Sequence, residues 1–143
     1  MPTVQRQADV EIPAARMFAL VNDVAAYPQR FDWCERAQVL DRGTARMVAR
    51  LDLRMGALRT WFVTENLLTP PTQIDLRLLD GPFRRLQGRW RFEALSADAC
   101  RVSLSLEFQP APALLAPAYA LGFSALADRM VRDFVRLAQR EAG

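Results

Sequence analysis

Val4, Ala8, Val10 and Ile12 alternate with Gln5, Gln7, Asp9 and Glu11, the period-2 pattern of an opening strand with one buried face. Pro13 ends it. Proline suits the first helical position, and Met17, Phe18, Val21 and Val24 recur at helical spacing, which predicts a helix over 13–23. Tyr27-Pro28-Gln29-Arg30 predicts a second short helix or turn leading into Phe31-Asp32-Trp33-Cys34. The clearest strand spans 45–55. Ala45, Met47, Ala49, Leu51, Leu53 and Met55 share one face, and Arg46, Arg50, Asp52 and Arg54 share the other. A slip of one residue would bury Arg50 and Arg54 unpaired, so the odd positions are expected to face the core.

Leu58 to Leu68 reads as a further strand, apolar on both faces where Trp61 and Phe62 adjoin. Pro70-Pro71-Thr72 turns the chain, Ile74, Leu76 and Leu78 alternate again, and Asp80-Gly81 predicts a tight reversal. Leu86, Gly88, Trp90, Phe92 and Ala94 then oppose Arg85, Gln87, Arg89, Arg91 and Glu93, and Val102, Leu104, Leu106 and Phe108 oppose Arg101, Ser103, Ser105 and Glu107. Short connections imply antiparallel neighbours. From Pro112 the period becomes 3.6. Tyr119, Phe123, Leu126, Met130, Phe134 and Leu137 form one stripe, which predicts a long C-terminal helix that Pro117 either starts or kinks. One sheet face and one helix stripe must cover each other. The expected architecture is therefore α+β: a curved antiparallel sheet of about seven strands wrapped around the last helix, with two short helices after the first strand.

At 143 residues and 16.2 kDa, with 51% hydrophobic and 24% charged residues, the chain forms one domain, 1–143, able to build a core without metal or disulfide. It contains no His and only Cys34 and Cys100 as thiols. A zinc site, a Ser/His or Cys/His nucleophile pair and an imidazole base are thereby excluded. Cys34 is expected to be a packing thiol, since only arginine is present to lower its pKa. Tyr27, Tyr119, Asp32 and Glu65 are the acid/base candidates near strand ends, and no two are spaced as a catalytic pair; no catalysis is expected. Met1 to Val10 carries no apolar run, so reduced thiols and a cytoplasmic location are expected.

All 19 cations are Arg, and the net charge is +3. The outward series Arg46, Arg50, Arg54, Arg85, Arg89, Arg91 and Arg101 suits phosphates. It equally suits a solvated sheet face, because Asp52, Asp75, Glu93 and Glu107 lie on the same strands. Specific DNA binding is not expected. The inward face carries almost no polar group. That fits either a filled core or an apolar cavity, because alternation tells where residues point and not whether they meet. Ala45, Ala49, Gly88 and Ala94 leave room, and Met47, Met55 and Met130 add adaptable walls.

The run Phe18-Ala19-Leu20-Val21-Asn22-Asp23-Val24 with Tyr27-Pro28, then Trp33-Cys34, then Asp80-Gly81-Pro82-Phe83 with Leu86, Gly88, Trp90 and Phe92, resembles the coenzyme-Q-binding START-type family across essentially the whole chain. That family takes in ribosome association toxin and oligoketide cyclase-like proteins within the START and polyketide cyclase superfamily. The resemblance implies a START-like helix-grip fold with a lipophilic cavity. In it Asp23, Tyr27, Pro28 and Trp33 would shape the entrance, and Phe83, Leu86 and Trp90 would wall the interior. The expected ligand-binding set is Trp33, Met47, Leu51, Phe62, Asn66, Leu78, Phe83, Leu86, Trp90, Tyr119, Phe123, Leu126 and Met130, with Thr64 or Asn66 as polar contact to a ligand head. The expected role is a non-catalytic binder of a polyprenyl quinone such as ubiquinone, supporting respiratory electron transfer, with no other cofactor and no metal. The alternatives are a ribosome-associating factor acting through the Arg face and a polyketide cyclase-like enzyme. Gln109 to Phe123 is too apolar for an ordinary loop. It is expected either to cap the sheet or to serve as a lid that touches the inner membrane peripherally.

Overall fold

The computed structural model describes residues 3–142. Strand β1 (Thr3–Val10) is followed by helix α1 (Ala14–Asn22), a 3-10 turn (Val24–Ala26) and the short α2 (Tyr27–Arg30). Six strands follow: β2 (Cys34–Arg42), β3 (Arg46–Met55), β4 (Leu58–Thr69), β5 (Gln73–Asp80), β6 (Phe83–Ser96) and β7 (Ala99–Pro110). A second 3-10 turn (Ala113–Leu115) leads into α3 (Ala116–Ala142). The seven strands make one sheet in the order β1-β7-β6-β5-β4-β3-β2 with every neighbour antiparallel. The curved sheet grips α3, which is the expected α+β helix-grip, START-like architecture. Among the described residues no helix is long and apolar enough to cross a membrane.

The alternation holds where it matters. In β3, Met47, Ala49, Leu53 and Met55 are buried and Arg54 is exposed. In β6 and β7, Leu86, Trp90, Phe92, Val102, Leu104, Leu106 and Phe108 point inward. They meet Tyr119, Phe123, Leu126, Ala127, Met130, Val131, Phe134 and Ala138 of α3. Pro117 sits in the first turn of α3, where its missing N–H has no intrahelical partner to lose, so it starts the helix without kinking it.

Several local expectations change. Asp80-Gly81 is not the tip of a tight hairpin: β5 and β6 pair only from Arg77↔Gln87 to Gln73↔Arg91, and beyond that β5 follows β4 while β6 follows β7. Gly81 at φ 140° still makes the turn, and its missing side chain admits the Trp61 carbonyl, which a Cβ would meet at 3.0 Å. Arg6 lies on the inward side of β1, where it pairs with Asp128 and donates to Ser124 Oγ at 2.7 Å, both on α3. Trp61 faces outward beneath Arg50, whose guanidinium carbon stands 4.3 Å from the ring centroid.

Trp33 departs furthest from its expected entrance position. It is fully buried, and its Nε1 donates to Asp133 Oδ2 of α3 at 3.0 Å. The ring stacks on Phe31 at 4.8 Å, and Phe31, Tyr27 and Phe134 close an aromatic cluster with centroids 4.7–5.7 Å apart. Trp33 thus pins the α2–β2 corner to the last helix.

Two substitutions test this packing. Asp133→Ala orphans the buried indole N–H and is expected to cost about 1–3 kcal/mol in chemical denaturation, with Trp33→Phe recovering part of the loss in the double mutant. Gly88→Ala places a Cβ 2.7 Å from Leu106 Cδ2 and 3.1 Å from the Ser105 carbonyl oxygen. It is expected to cost about 1–3 kcal/mol, and an unchanged midpoint would mean that the β6–β7 contact yields freely.

Candidate functional site

Between the sheet and α3 lies a cavity of about 50 Å³. Its wall is drawn from the end of α1 (Val21, Asn22), from Val24 and Tyr27, from inward positions of β3, β4, β5, β6 and β7, and from Phe123, Leu126 and Met130 of α3. Ala49 and Thr64, paired across β3 and β4, are among the small side chains of that wall. Such a volume holds a few waters, because each needs roughly 10–15 Å³ in this measure. A long isoprenoid chain enters only if Met130, Leu51 and their neighbours swing aside.

The wall is apolar except at a few points. Thr64 Oγ1 donates to Asn66 Oδ1 at 2.7 Å, both side chains buried on adjacent inward positions of β4. That bond engages the Asn66 amide oxygen and neither of its amide N–H donors. Asn22 Oδ1 is buried and likewise unpartnered. The Tyr27 hydroxyl donates to the Val21 carbonyl, and burial pushes its pKa far above the ordinary range. No carboxylate, thiol or guanidinium reaches the wall. Outside it, burial pushes the Cys34 thiol up to about 11, and its Sγ donates to the Arg36 carbonyl at 3.3 Å; the thiol is neutral near pH 7 and no nucleophile. Among the described residues no cluster of three His, Cys, Asp or Glu is placed to hold a metal.

Of the expected binding set, Leu51, Phe62, Asn66, Trp90, Phe123, Leu126 and Met130 are brought together on this wall. The other six lie off it. Trp33 belongs to the aromatic cluster described above. Met47 is buried farther along β3, opposite Asn66. Leu78 and Leu86 stand where β5 and β6 have separated. Phe83 packs on Phe62, Phe123 and Tyr119, and the Tyr119 hydroxyl reaches Thr60 Oγ1 at 3.4 Å, so both plug the end of the barrel beyond the void. Sequence reasoning missed Val21, Asn22 and Val24, since helical spacing marks them as packed but not against what. It also passed over Leu53, Ile74, Leu76, Leu104 and Leu106, which share their strands' inward phase with residues that were named.

The outward arginines are mostly neutralised. Arg46 meets Glu65 at 2.6 Å, Arg50 meets Asp52 at 3.0 Å, Arg54 meets Glu35 at 3.0 Å, Arg89 meets Asp75 at 2.7 Å and Arg101 meets Asp9 at 2.7 Å. Among the described residues Glu93 and Glu107 take no arginine; Glu107 accepts from Gln87 at 2.7 Å. The sheet face is thus a laced surface, with Arg85 and Arg91 the members of that series that meet no carboxylate among the described residues.

Residues 10–135 match the family described as polyketide cyclase / dehydrase and lipid transport. The ribosome association toxin RatA of Vibrio cholerae is 40% identical over 143 residues, covering 100% of this chain and 99% of that protein. The solution structure of an 18 kDa protein from Caulobacter crescentus superposes with a TM-score of 0.82 at 29% identity, covering 100% of this chain and 99% of that one. The crystal structure of the Zhui aromatase/cyclase from a Streptomyces species superposes with a TM-score of 0.83 at 21% identity, over 99% and 95% of the two chains, a likeness of fold alone. With the family matched over residues 10–135 and relatives matched over nearly the whole chain, the chain belongs to the polyketide cyclase / dehydrase and lipid transport family.

Proposed function

We propose that this chain is a non-catalytic binding protein for a hydrophobic small molecule, with an isoprenoid quinone such as ubiquinone as the ligand, serving respiratory electron transfer from the cytoplasm. The observation that carries the reading is the cavity itself: an apolar wall on which Thr64, Asn66 and Asn22 offer unspent hydrogen-bonding capacity without a charge. An amide N–H from Asn66 suits a quinone carbonyl, and the surrounding Leu, Ile and Phe side chains suit a prenyl tail. The cyclase alternative needs a proton donor or acceptor on the wall. Among the described residues Tyr27 is the one titratable group there, and its proton is committed to Val21 and held by burial.

The loading end is formed by the second 3-10 turn and the start of α3. Leu114 is 91% and Leu121 76% exposed, and Ala111 N donates to the Pro82 carbonyl, which ties this turn to the start of β6. Exposed leucines suit the apolar boundary of a bilayer surface. Leu115, at 37%, is partly covered and contributes less.

A second reading, ribosome association, is supported by relatives at 40% identity that carry that name. It concerns the outer surface and is compatible with an occupied cavity.

Organic extraction of the purified protein, followed by titration with a short-chain ubiquinone while tryptophan fluorescence is read, tests the main reading. Ala49→Leu fills the void and is expected to weaken binding about tenfold or more, while exposed Arg89→Gln stays within about twofold. Absence of quenching in the parent protein, together with an empty extract, would overturn it. Leu114→Asp is expected to reduce association with phosphatidylglycerol-containing vesicles and to slow uptake from them, with the melting temperature nearly unchanged. Unaltered uptake removes this end from the loading step.

A further inference from the structure

We infer that the groove between α2 and the C-terminal half of α3 is a docking surface for an RNA phosphodiester backbone; the choice of RNA rests on the ribosome-association reading. Arg30, Phe31, Asp32, Arg129, Asp133, Arg136, Gln139 and Arg140 line the groove. Four arginines face two aspartates there, so the groove carries two of the chain's three net positive charges.

The carboxylates are already engaged. Asp32 pairs with Arg129, and Asp133 Oδ2 accepts the Trp33 indole N–H. Arg136 and Arg140 have no carboxylate in ion-pair contact among the described residues, and neither does Arg132, one turn before Arg136 on the same exposed flank. Arg30 Nη1 lies 3.2 Å from Asp23 Oδ2 yet makes no hydrogen bond, leaving a buried donor unspent. These positions recur every fourth residue along α3, about 6 Å apart on the helix axis, so their guanidinium forks form a row.

The contrast with the sheet decides the location. There the arginines are held by Glu65, Asp52, Glu35, Asp75 and Asp9 and would have to surrender those partners to take a phosphate. In the groove the Arg136 and Arg140 forks have no such partner among the described residues, and planar bidentate donors match phosphate oxygens. Phe31, the aromatic side chain of the groove, is buried and stacked on Trp33, so no ring is offered to a base. The contact is with the backbone and independent of base sequence. It lies on the part of α3 remote from Leu114 and Leu121, which separates the RNA surface from the lipid-facing end.

Fluorescence anisotropy with a labelled RNA hairpin, and co-sedimentation with purified large ribosomal subunits, test the inference. The double variant Arg136→Ala/Arg140→Ala is expected to bind RNA about tenfold or more weakly at moderate salt, with a salt slope shallower by about 1.5. Arg84→Ala/Arg85→Ala removes the same charge elsewhere and is expected to stay within about twofold; equal losses in both pairs would reduce the effect to net charge and overturn the inference. Hairpin binding through the groove without subunit co-sedimentation would overturn the ribosome reading while leaving the groove as an RNA site. A parent protein that binds neither, or a groove variant that loses only phosphatidylglycerol-vesicle binding, would overturn the groove assignment.

Discussion

The structure depends on one coverage problem: a seven-stranded sheet presents a single apolar face, and essentially one long helix must cover it. The stripe of α3 from Tyr119 to Ala138 does so by lying in the concavity of the sheet. A flat sheet of seven strands would be too wide for a helix about 10–12 Å across, so curvature is a condition of burial. The β5–β6 separation belongs to the same solution. Beyond Arg77↔Gln87 the two strands diverge, and Phe83 fills the gap against Phe62, Tyr119 and Phe123.

Covering the face does not by itself fix where along the sheet the helix sits. Directional polar contacts do that, one at each flank. Arg6 reaches from β1 to Ser124 and Asp128, and Trp33 reaches from the α2–β2 corner to Asp133. Each pairs a group on one sheet edge with a partner on α3, and the aspartates lie five residues apart. A shift of α3 by one turn would part both at once, leaving the indole N–H buried and unsatisfied.

Period-2 and period-3.6 patterns made the strands, the helix and their buried faces legible, because burial on one face imposes periodicity directly. What the patterns could not disclose was contact between elements. Trp33 follows Phe31 and Asp32 in a stretch with no periodicity, and nothing in that stretch distinguishes an entrance residue from a pin to Asp133 a hundred positions later. Met47 and Leu51 share a face of β3, yet only Leu51 reaches the void, because position along the strand relative to α3 decides it. Arg6 broke the alternation of β1 in plain view. Its inward position makes sense only once Asp128 is known to stand opposite.

The cavity reflects the same competition between packing and function. About 50 Å³ is small enough that the surrounding side chains keep most of their contacts, so the empty domain is not left with a costly void. A Thr–Asn pair buried there is costly by comparison with two apolar residues of similar size, and its mutual hydrogen bond satisfies only part of its capacity. Core packing alone would favour Val and Leu at positions 64 and 66. Holding a polar pair on β4, where Thr64 pairs with Ala49, makes sense if the missing hydrogen bonds are supplied by something that enters. The flexible Met130 opposite supplies the yielding side of the wall, so that accommodation requires rotamer changes on α3 and not disruption of the sheet.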